Sequence, residues 1–199
     1  DGSIILVRSV GADGRSRGHI GGRSAPLGAL AEITDGRPFF DSEHGPIHTF
    51  KDHRHTLPEP FDDEYFRHIQ WAHLASGGAG GGMRWPNRHP HRLTHGMRRA
   101  QRALADFLPL VDWPRFDRRP IDPAVDDPAL ACFACGDARQ AVLFLLRTTP
   151  LLPDGRVDPA VRRGASIFVP GTTPGTYRAA VWDTQAGVLL GDAAVLTEV

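Results

Sequence analysis

A short run near residue 40 places carboxylates and histidines directly after an apolar segment. The run FFDSEHGPIH, residues 39–48, leads from two Phe into Asp41 and Glu43, with His44 and His48 close behind. A solvated loop would explain the polar end, but it would not need the apolar approach. A strand that crosses a core and ends in a pocket explains both, so Glu43 is a candidate catalytic carboxylate.

A second candidate lies in the glycine-dense segment GGAGGGMRWP, residues 77–86. Glycine suits a strand that a neighbour or a ligand approaches closely, and this strand would end on Trp85. Simpler interpretations stay open for both residues. Glu43 could be a surface carboxylate at a strand end, and Trp85 could be a packing residue.

The elements around these residues alternate between strand and helix up to about Pro114. This order predicts parallel β/α units, in which active sites lie at the carboxyl ends of the strands. The Gly-, Arg- and Ser-rich stretch that ends at Ser24 is expected to be a loop. The predicted elements are, in order, a strand over 3–10, a helix over 25–33, a strand over 37–43, a helix from about Glu64, a strand ending near Trp85 and a helix from Thr94.

The chain changes character after Trp113 and Pro114. A Pro- and Asp-rich linker follows, and then short strands separated by Gly and Pro turns, which is typical of a small antiparallel β-sandwich. The alternation of Tyr177, Ala179 and Val181 predicts one buried face, with Arg178 outside. The sequence therefore predicts two domains, an α/β domain over 1–114 and an all-β domain over 115–199.

The two cysteines, Cys132 and Cys135, lie in the pattern ALACFACGDARQAVLFLLR. This pattern predicts a strand, a turn at Gly136 and Asp137, and a second strand. Residues three apart in a strand point to opposite faces. We therefore expect the two thiols neither to form a disulfide nor to share a metal ion.

Composition excludes several classes of function. The formal net charge is +0, with 23 basic and 23 acidic side chains, which argues against a nucleic-acid partner. No apolar run approaches the ~20 residues of a membrane span, and the first residues lack the features of a signal peptide. Because the chain opens on Asp rather than Met, we expect either processing or a longer parent chain.

Histidines are frequent in two loop segments, but their spacing does not favour a metal site. They lack a regular helical pair four residues apart that brackets a base. No metal ion is predicted, although a metal-dependent hydrolase remains an open alternative. The histidines concerned are His44, His48, His53, His55, His89, His91 and His95.

The runs RPFFDSEHG and HLASGGAGGGMRWP, with a helix between them, resemble the last strands of (β/α)8 retaining glycoside hydrolases of the cellulase and mannanase group. The resemblance covers roughly residues 35–110 and implies the C-terminal part of a TIM barrel. It implies that Glu43, within Ser-Glu-His-Gly, is the nucleophile and that Trp85 is the sugar platform. His44 and His48 would then bind a sugar hydroxyl or orient Glu43.

The resemblance also implies what this chain lacks. Such enzymes carry their acid/base Glu on an earlier strand, usually in an Asn-Glu pair, and this sequence contains no such pair. Only about three β/α units are predicted, whereas a barrel has eight. We therefore expect a C-terminal fragment that carries the nucleophile, with the acid/base upstream of residue 1. The implied partner is an oligo- or polysaccharide, no cofactor is required, and a secreted or periplasmic protein would fit.

The segment GTYRAAVWDTQAG, residues 175–187, resembles the end of small β-sandwich domains that follow such barrels and are named for collagen binding. The matching residues are Gly175, Tyr177, Trp182, Asp183 and Gly187. The interpretation of Tyr177 and Trp182 as core and turn residues of a stabilising domain is favoured over polysaccharide or matrix binding. For the whole chain, the alternative to an enzyme is a non-catalytic carbohydrate- or matrix-binding protein.

Overall fold

The structure is a computed structural model and describes residues 6–10, 16–20, 23–25, 59–79, 93–153, 157–158 and 164–197. The chain divides into two compact units, Asp1–Phe39 and Phe40–Val199. Among the described residues, α-helices combine with small antiparallel sheets, so the fold mixes α and β elements.

The first unit contains a three-stranded antiparallel sheet in the order β1-β2-β3. Its strands are β1 (Leu6–Val10), β2 (Ser16–Ile20) and β3 (Arg23–Ala25). The predicted first strand is confirmed, but its predicted place in a parallel unit is wrong because β1 pairs antiparallel with β2. The predicted loop up to Ser24 is also wrong. Strand pairing uses main-chain groups, so a run rich in Gly, Arg and Ser can pair without an apolar pattern.

Helix α1 (Glu59–Ala75) confirms the helix predicted near Glu64 and begins five residues earlier. Its second residue is Pro60, which a first helical turn tolerates because the missing N–H would have no partner there. The helix ends in a Schellman arrangement, in which the Gly78 amide donates to the His73 carbonyl at 3.0 Å. Gly77 takes the left-handed conformation that this ending requires, with a φ of 89°.

Helix α2 (His95–Phe107) confirms the helix predicted from Thr94. The Thr94 hydroxyl caps it by accepting the Met97 amide hydrogen at 3.0 Å. Met97 and Ala100 face α1 and pack on Phe66, whose side chain is fully buried. This small cluster joins the N-terminal parts of the two helices.

Between α2 and the last hairpin, the described residues form antiparallel strands in two small sheets. One sheet has the order β4-β6-β7 and the other pairs β5 with β8. The hairpin of β6 and β7, with its turn after Gly136, is confirmed. The predicted linker after Trp113 is partly wrong, because it contains β4 and β5 and buries Phe116. The strands are β4 (Arg119–Pro120), β5 (Ala124–Val125), β6 (Leu130–Gly136), β7 (Ala141–Arg147) and β8 (Ile167–Phe168).

The main core of the second unit lies between the helices and the hairpin of β6 and β7. It joins residues on both sides of the predicted boundary between residues 114 and 115, and that boundary stays a prediction. The buried members are Trp71, Leu74, Ala75, Leu104, Phe116, Cys135, Val142 and Phe144.

The last two strands form a separate antiparallel hairpin of β9 (Gly175–Asp183) and β10 (Val188–Thr197). The predicted buried face is wrong for Ala179 and Val181, which are exposed, Val181 to 57%. Arg178 lies outside, as predicted, and forms an ion pair with Asp192 at 2.6 Å. Leu190, at the register shift of β10, is 64% exposed.

Candidate functional site

The four residues predicted to form the sugar site lie outside the described part of the chain. Glu43, His44, His48 and Trp85 all fall in residues 26–58 or 80–92. Their roles therefore stay predictions. The structure does describe helix α1, which follows the Glu43 segment, and helix α2, which follows the Trp85 segment. It also describes the Tyr–Trp–Asp–Gly pattern of the last hairpin.

Tyr177 attaches the beginning of β9 to the turn between β6 and β7. Its hydroxyl donates to the Ala138 carbonyl at 3.0 Å, and the Thr173 amide donates to the same carbonyl at 2.9 Å. The Thr173 hydroxyl also lies 3.0 Å from the Tyr177 hydroxyl. The Tyr177 hydroxyl is therefore hydrogen-bonded within the chain. This agrees with the interpretation of Tyr177 as a structural residue.

Trp182 attaches the other end of β9 to helix α2. Its ring meets Phe107 edge-on at a centroid distance of 5.9 Å, and Phe107 meets Trp71 in the same manner at 5.0 Å. Because Tyr177 and Trp182 are five residues apart in one strand, they point to opposite faces of the hairpin. The hairpin is thus held at its two ends and on its two sides.

Asp183 and Gly187 shape the turn that follows Trp182. The Asp183 carboxylate accepts the Gln185 and Ala186 amide hydrogens at 2.8 and 2.9 Å. Gly187 has a φ of 71°, and a Cβ on it would lie 3.0 Å from the Cβ of Ala103 in helix α2. The motif residues with described side chains therefore fold and attach the hairpin, which supports the interpretation of Tyr177 and Trp182 as structural residues.

Both cysteines are free, as predicted, and their environments differ. Cys135 is fully buried, its thiol lies 3.8 Å from the Leu74 carbonyl, and burial raises its pKa to about 11. Cys132 is half-buried, and partial burial raises its pKa, with a smaller effect from Asp122. Neither environment resembles the electropositive setting of a reactive thiol.

We expect an alkylating reagent to modify Cys132 well before Cys135 in the folded protein. At pH 8, a thiol with a pKa near 11 has about 100-fold less thiolate than an ordinary one, and burial also blocks the reagent. Mass spectrometry of peptides after timed iodoacetamide treatment measures both rates, with Cys132→Ser as the control. Equal rates in the folded protein would contradict this description of Cys135.

A charged cluster that sequence reasoning missed connects helix α1 to the β9–β10 turn. Arg67 donates through Nη1 to the Thr184 hydroxyl at 2.5 Å and through Nη2 to the Glu64 carboxylate. His68 Nε2 lies 3.0 Å from the same carboxylate. Glu64, Arg67 and His68 are three and four positions apart, so the sequence alone indicates that they share one face of a helix. The partner of Arg67, Thr184, lies 117 positions further along the chain, and no local pattern indicates that contact.

This cluster lowers the pKa of Glu64 below its ordinary value. The hydrogen bond from His68 is the largest cause, the charge of Arg67 acts in the same direction, and partial burial opposes both. A carboxylate with a lowered pKa stabilises the folded state above the unfolded pKa, and this contribution is lost as pH falls through the folded pKa.

We therefore expect Glu64→Gln to lower the free energy of unfolding at neutral pH by up to about 1 kcal/mol, because the carboxylate is partly exposed to solvent. The difference between the two proteins should vanish at a pH below the lowered pKa of Glu64. Urea unfolding at pH 7 and at strongly acidic pH measures it. A difference that persists unchanged in acid would show that the carboxylate charge is not its cause.

A polar groove of about 360 Å³ lies beside this cluster, between the N-terminal parts of α1 and α2 and the β9–β10 turn. Its volume lies at the lower end of the range of small-molecule sites, and the groove opens to solvent. The side chains that line it include Asp63, Glu64 and Arg67 from α1, Arg99 from α2 and Gln185 from the turn. Three elements that are far apart in sequence therefore contribute hydrogen-bonding groups to one concave surface.

Two features are absent from the described residues. Within them, no group of three or more His, Cys, Asp and Glu side chains could hold a metal ion. No described helix is long and apolar enough to cross a membrane.

Comparison with known proteins gives one short similarity. A stretch of 35 residues is 57% identical to DNA repair protein RecN of Streptomyces coelicolor, and it covers 18% of this chain and 6% of RecN. No family model matches the chain. No solved structure matches it either. The similarity to RecN extends over too little of either protein to show a family.

Proposed function

We propose that this chain is the C-terminal part of a retaining glycoside hydrolase that cleaves O-glycosidic bonds. Glu43 would be the nucleophile, Trp85 the platform for the sugar ring, and His44 and His48 would contact hydroxyl groups. The finer fold proposal is a partial TIM barrel within residues 1–114, to which the antiparallel strands β1, β2 and β3 do not contribute, and a small β-sandwich over 115–199. The partner would be an oligo- or polysaccharide, and the chemistry requires no cofactor.

The observation that supports this proposal most is the order of motifs and helices. The Ser-Glu-His-Gly motif precedes α1, and the segment that ends on Trp85 precedes α2. A barrel places a helix after each strand in this manner. Both helices then pack on the antiparallel hairpin of β6 and β7 through a shared core. An accessory domain attached to the last helices of a barrel would make such contacts.

The proposed reaction assigns a separate role to each group. Glu43 would attack the anomeric carbon and form a covalent glycosyl–enzyme, which water then hydrolyses. A second carboxyl group, about 5–5.5 Å away, would protonate the leaving oxygen and later activate the water. We expect that acid/base upstream of residue 1. The indole of Trp85 would pack against the C–H-rich face of the sugar.

Covalent trapping tests the proposal. Fluorinated glycosides with a good leaving group accumulate the glycosyl–enzyme of retaining enzymes, because the fluorine slows its hydrolysis. The parent protein, with its preceding strands, would be treated with gluco-, manno- and xylo-configured reagents and mapped by mass spectrometry. We expect an adduct on Glu43 and, in Glu43→Gln, nearly complete loss of turnover with retained sugar binding.

The control variant is Asp41→Asn, which changes the neighbouring carboxylate and should still be labelled on Glu43. An adduct on a different carboxylate would overturn the assignment of Glu43. Saccharide binding that Glu43→Gln leaves unchanged, in a protein without turnover, would favour the non-catalytic binding protein. Activity abolished by a chelator would favour the metal-dependent hydrolase.

A further inference from the structure

The polar groove between the helices and the β9–β10 turn has walls that are fixed by contacts within the protein. Arg67 is held between Glu64 and the hydroxyl of Thr184. Asp63, one helical turn before Arg67 on α1, is also held, because its carboxylate accepts a hydrogen bond from the Thr94 hydroxyl. A Cβ on Gly96 would lie 1.9 Å from that carboxylate, so the absence of a side chain at Gly96 lets Asp63 approach. Such fixed groups bind a ligand with little loss of side-chain entropy.

Two further groups on the groove have hydrogen-bonding capacity to spare. Within the described part of the chain, the Arg99 guanidinium and the Gln185 side-chain amide have no partner. Both residues are exposed. The groove thus presents free donors from Arg99, a donor and an acceptor from Gln185, and remaining acceptor capacity on Asp63 and Glu64.

The charges of the groove favour a neutral ligand over an ion. Arg67 and Glu64 already pair with each other. The N-terminus of α2, where an anion would be most favourable, is already approached by the Asp63 carboxylate. An anionic ligand would meet the carboxylates of Glu59, Asp63 and Glu64, and a cationic ligand would meet the guanidinium groups of Arg67 and Arg99. A neutral ligand with hydroxyl groups can donate hydrogen bonds to the carboxylates and accept hydrogen bonds from the guanidinium groups.

We propose that this groove is a secondary saccharide-binding site, in which Arg99 and Gln185 hydrogen-bond sugar hydroxyl groups. The choice of a saccharide among neutral polyhydroxylated molecules rests on the proposed function. None of the residues that line this site belongs to the Glu43 or Trp85 segment. It would hold a carbohydrate chain on the helices rather than cleave it.

Titration of the 199-residue chain, observed by nuclear magnetic resonance, tests this proposal. The probes are disaccharides of glucose, mannose and xylose, with inositol, inorganic phosphate and putrescine as the competing chemical classes. We expect at least one disaccharide to shift the Arg99 Nε–H and Gln185 side-chain signals, with weaker effects from the other probes. Arg99→Met should weaken that binding about 10-fold, the effect of losing one hydrogen bond to a charged group.

The matched control is Arg98→Met, because Arg98 is exposed on the same helix and does not line the groove. If Arg99→Met melts at a lower temperature than this control, Gln185→Ala replaces it as the test variant. The proposal is overturned if no disaccharide shifts these signals, if phosphate or putrescine binds in their place, or if both arginine variants weaken binding equally. Failed trapping on Glu43 would overturn the proposed function while this titration still reported on the groove.

Discussion

Phe66→Ala is expected to lower the free energy of unfolding by about 3–5 kcal/mol. Phe66 is 0% exposed and packs with Met97 and Ala100 in the cluster that joins α1 to α2. Removing the ring takes away its burial and leaves a cavity between two helices that cannot close fully. Chemical unfolding followed by circular dichroism measures the change.

The matched control for this variant is Phe61→Ala on the same helix. Phe61 is 39% exposed, so its loss should cost less than about 1 kcal/mol. The two variants compare the loss of a buried Phe with the loss of an exposed Phe on the same helix. Equal effects of the two substitutions would show that the contact between α1 and α2 does not contribute the expected stability.

Gly187→Ala is expected to lower the free energy of unfolding by about 2–4 kcal/mol. The φ of 71° at this position is costly for any residue with a Cβ. The new Cβ would also lie 3.0 Å from the Cβ of Ala103 and 3.2 Å from its Cα. The turn must then move away from α2, so Trp182 fluorescence should change together with stability.

Gly171→Ala separates the two causes. Gly171 has a φ of 80°, and a Cβ on it would meet no atom within 4 Å. This variant should therefore show only the backbone cost, about 1–2 kcal/mol. In a chain that carries Ala103→Gly, the additional cost at Gly187 should become smaller without vanishing, because the contact of 3.2 Å with the Cα of residue 103 remains. If Gly171→Ala and Gly187→Ala cost the same, the close approach of the hairpin to α2 has no energetic weight.

Elements with a strong local pattern were predictable from the sequence. Thr94 precedes a helical pattern and supplies its cap, so the beginning of α2 was predicted within one residue. The hairpin of β6 and β7 was also predicted, because Gly136 and Asp137 separate two apolar runs. Caps and tight turns depend on neighbours in the chain, so a single sequence carries their signals.

The errors arose where distant residues decide the structure. The segment that contains β2 has little apolar alternation, and its pairing with β1 depends on main-chain groups. The linker segment contributes β5 because Ala124 and Val125 pair with strand β8, more than 40 positions later. The alternation of residue types along β9 predicted that Val181 is buried, but its side chain is exposed. The hairpin contacts the rest of the protein at its two ends, so the alternating residues between them do not have a core to pack against in the described part of the chain.

The candidate sites divide in the same way. The structural roles predicted for Tyr177 and Trp182 came from a short local motif, and their described contacts agree with those roles. The charged cluster and the groove depend on Thr184 and Gln185 meeting α1 and α2. No local pattern indicates that encounter, because the meeting residues lie more than 80 positions apart in sequence.

The exposed apolar side chains of the last hairpin have a practical consequence for handling the protein. Val181 and Leu190 are in contact with solvent on a two-stranded ribbon, and the sequence isoelectric point is about 7.3. Near neutral pH, electrostatic repulsion between molecules is therefore at its weakest, and the exposed apolar side chains favour association. Solubility should be lowest in ordinary physiological buffers, and concentrated samples should be kept well above or below pH 7.3.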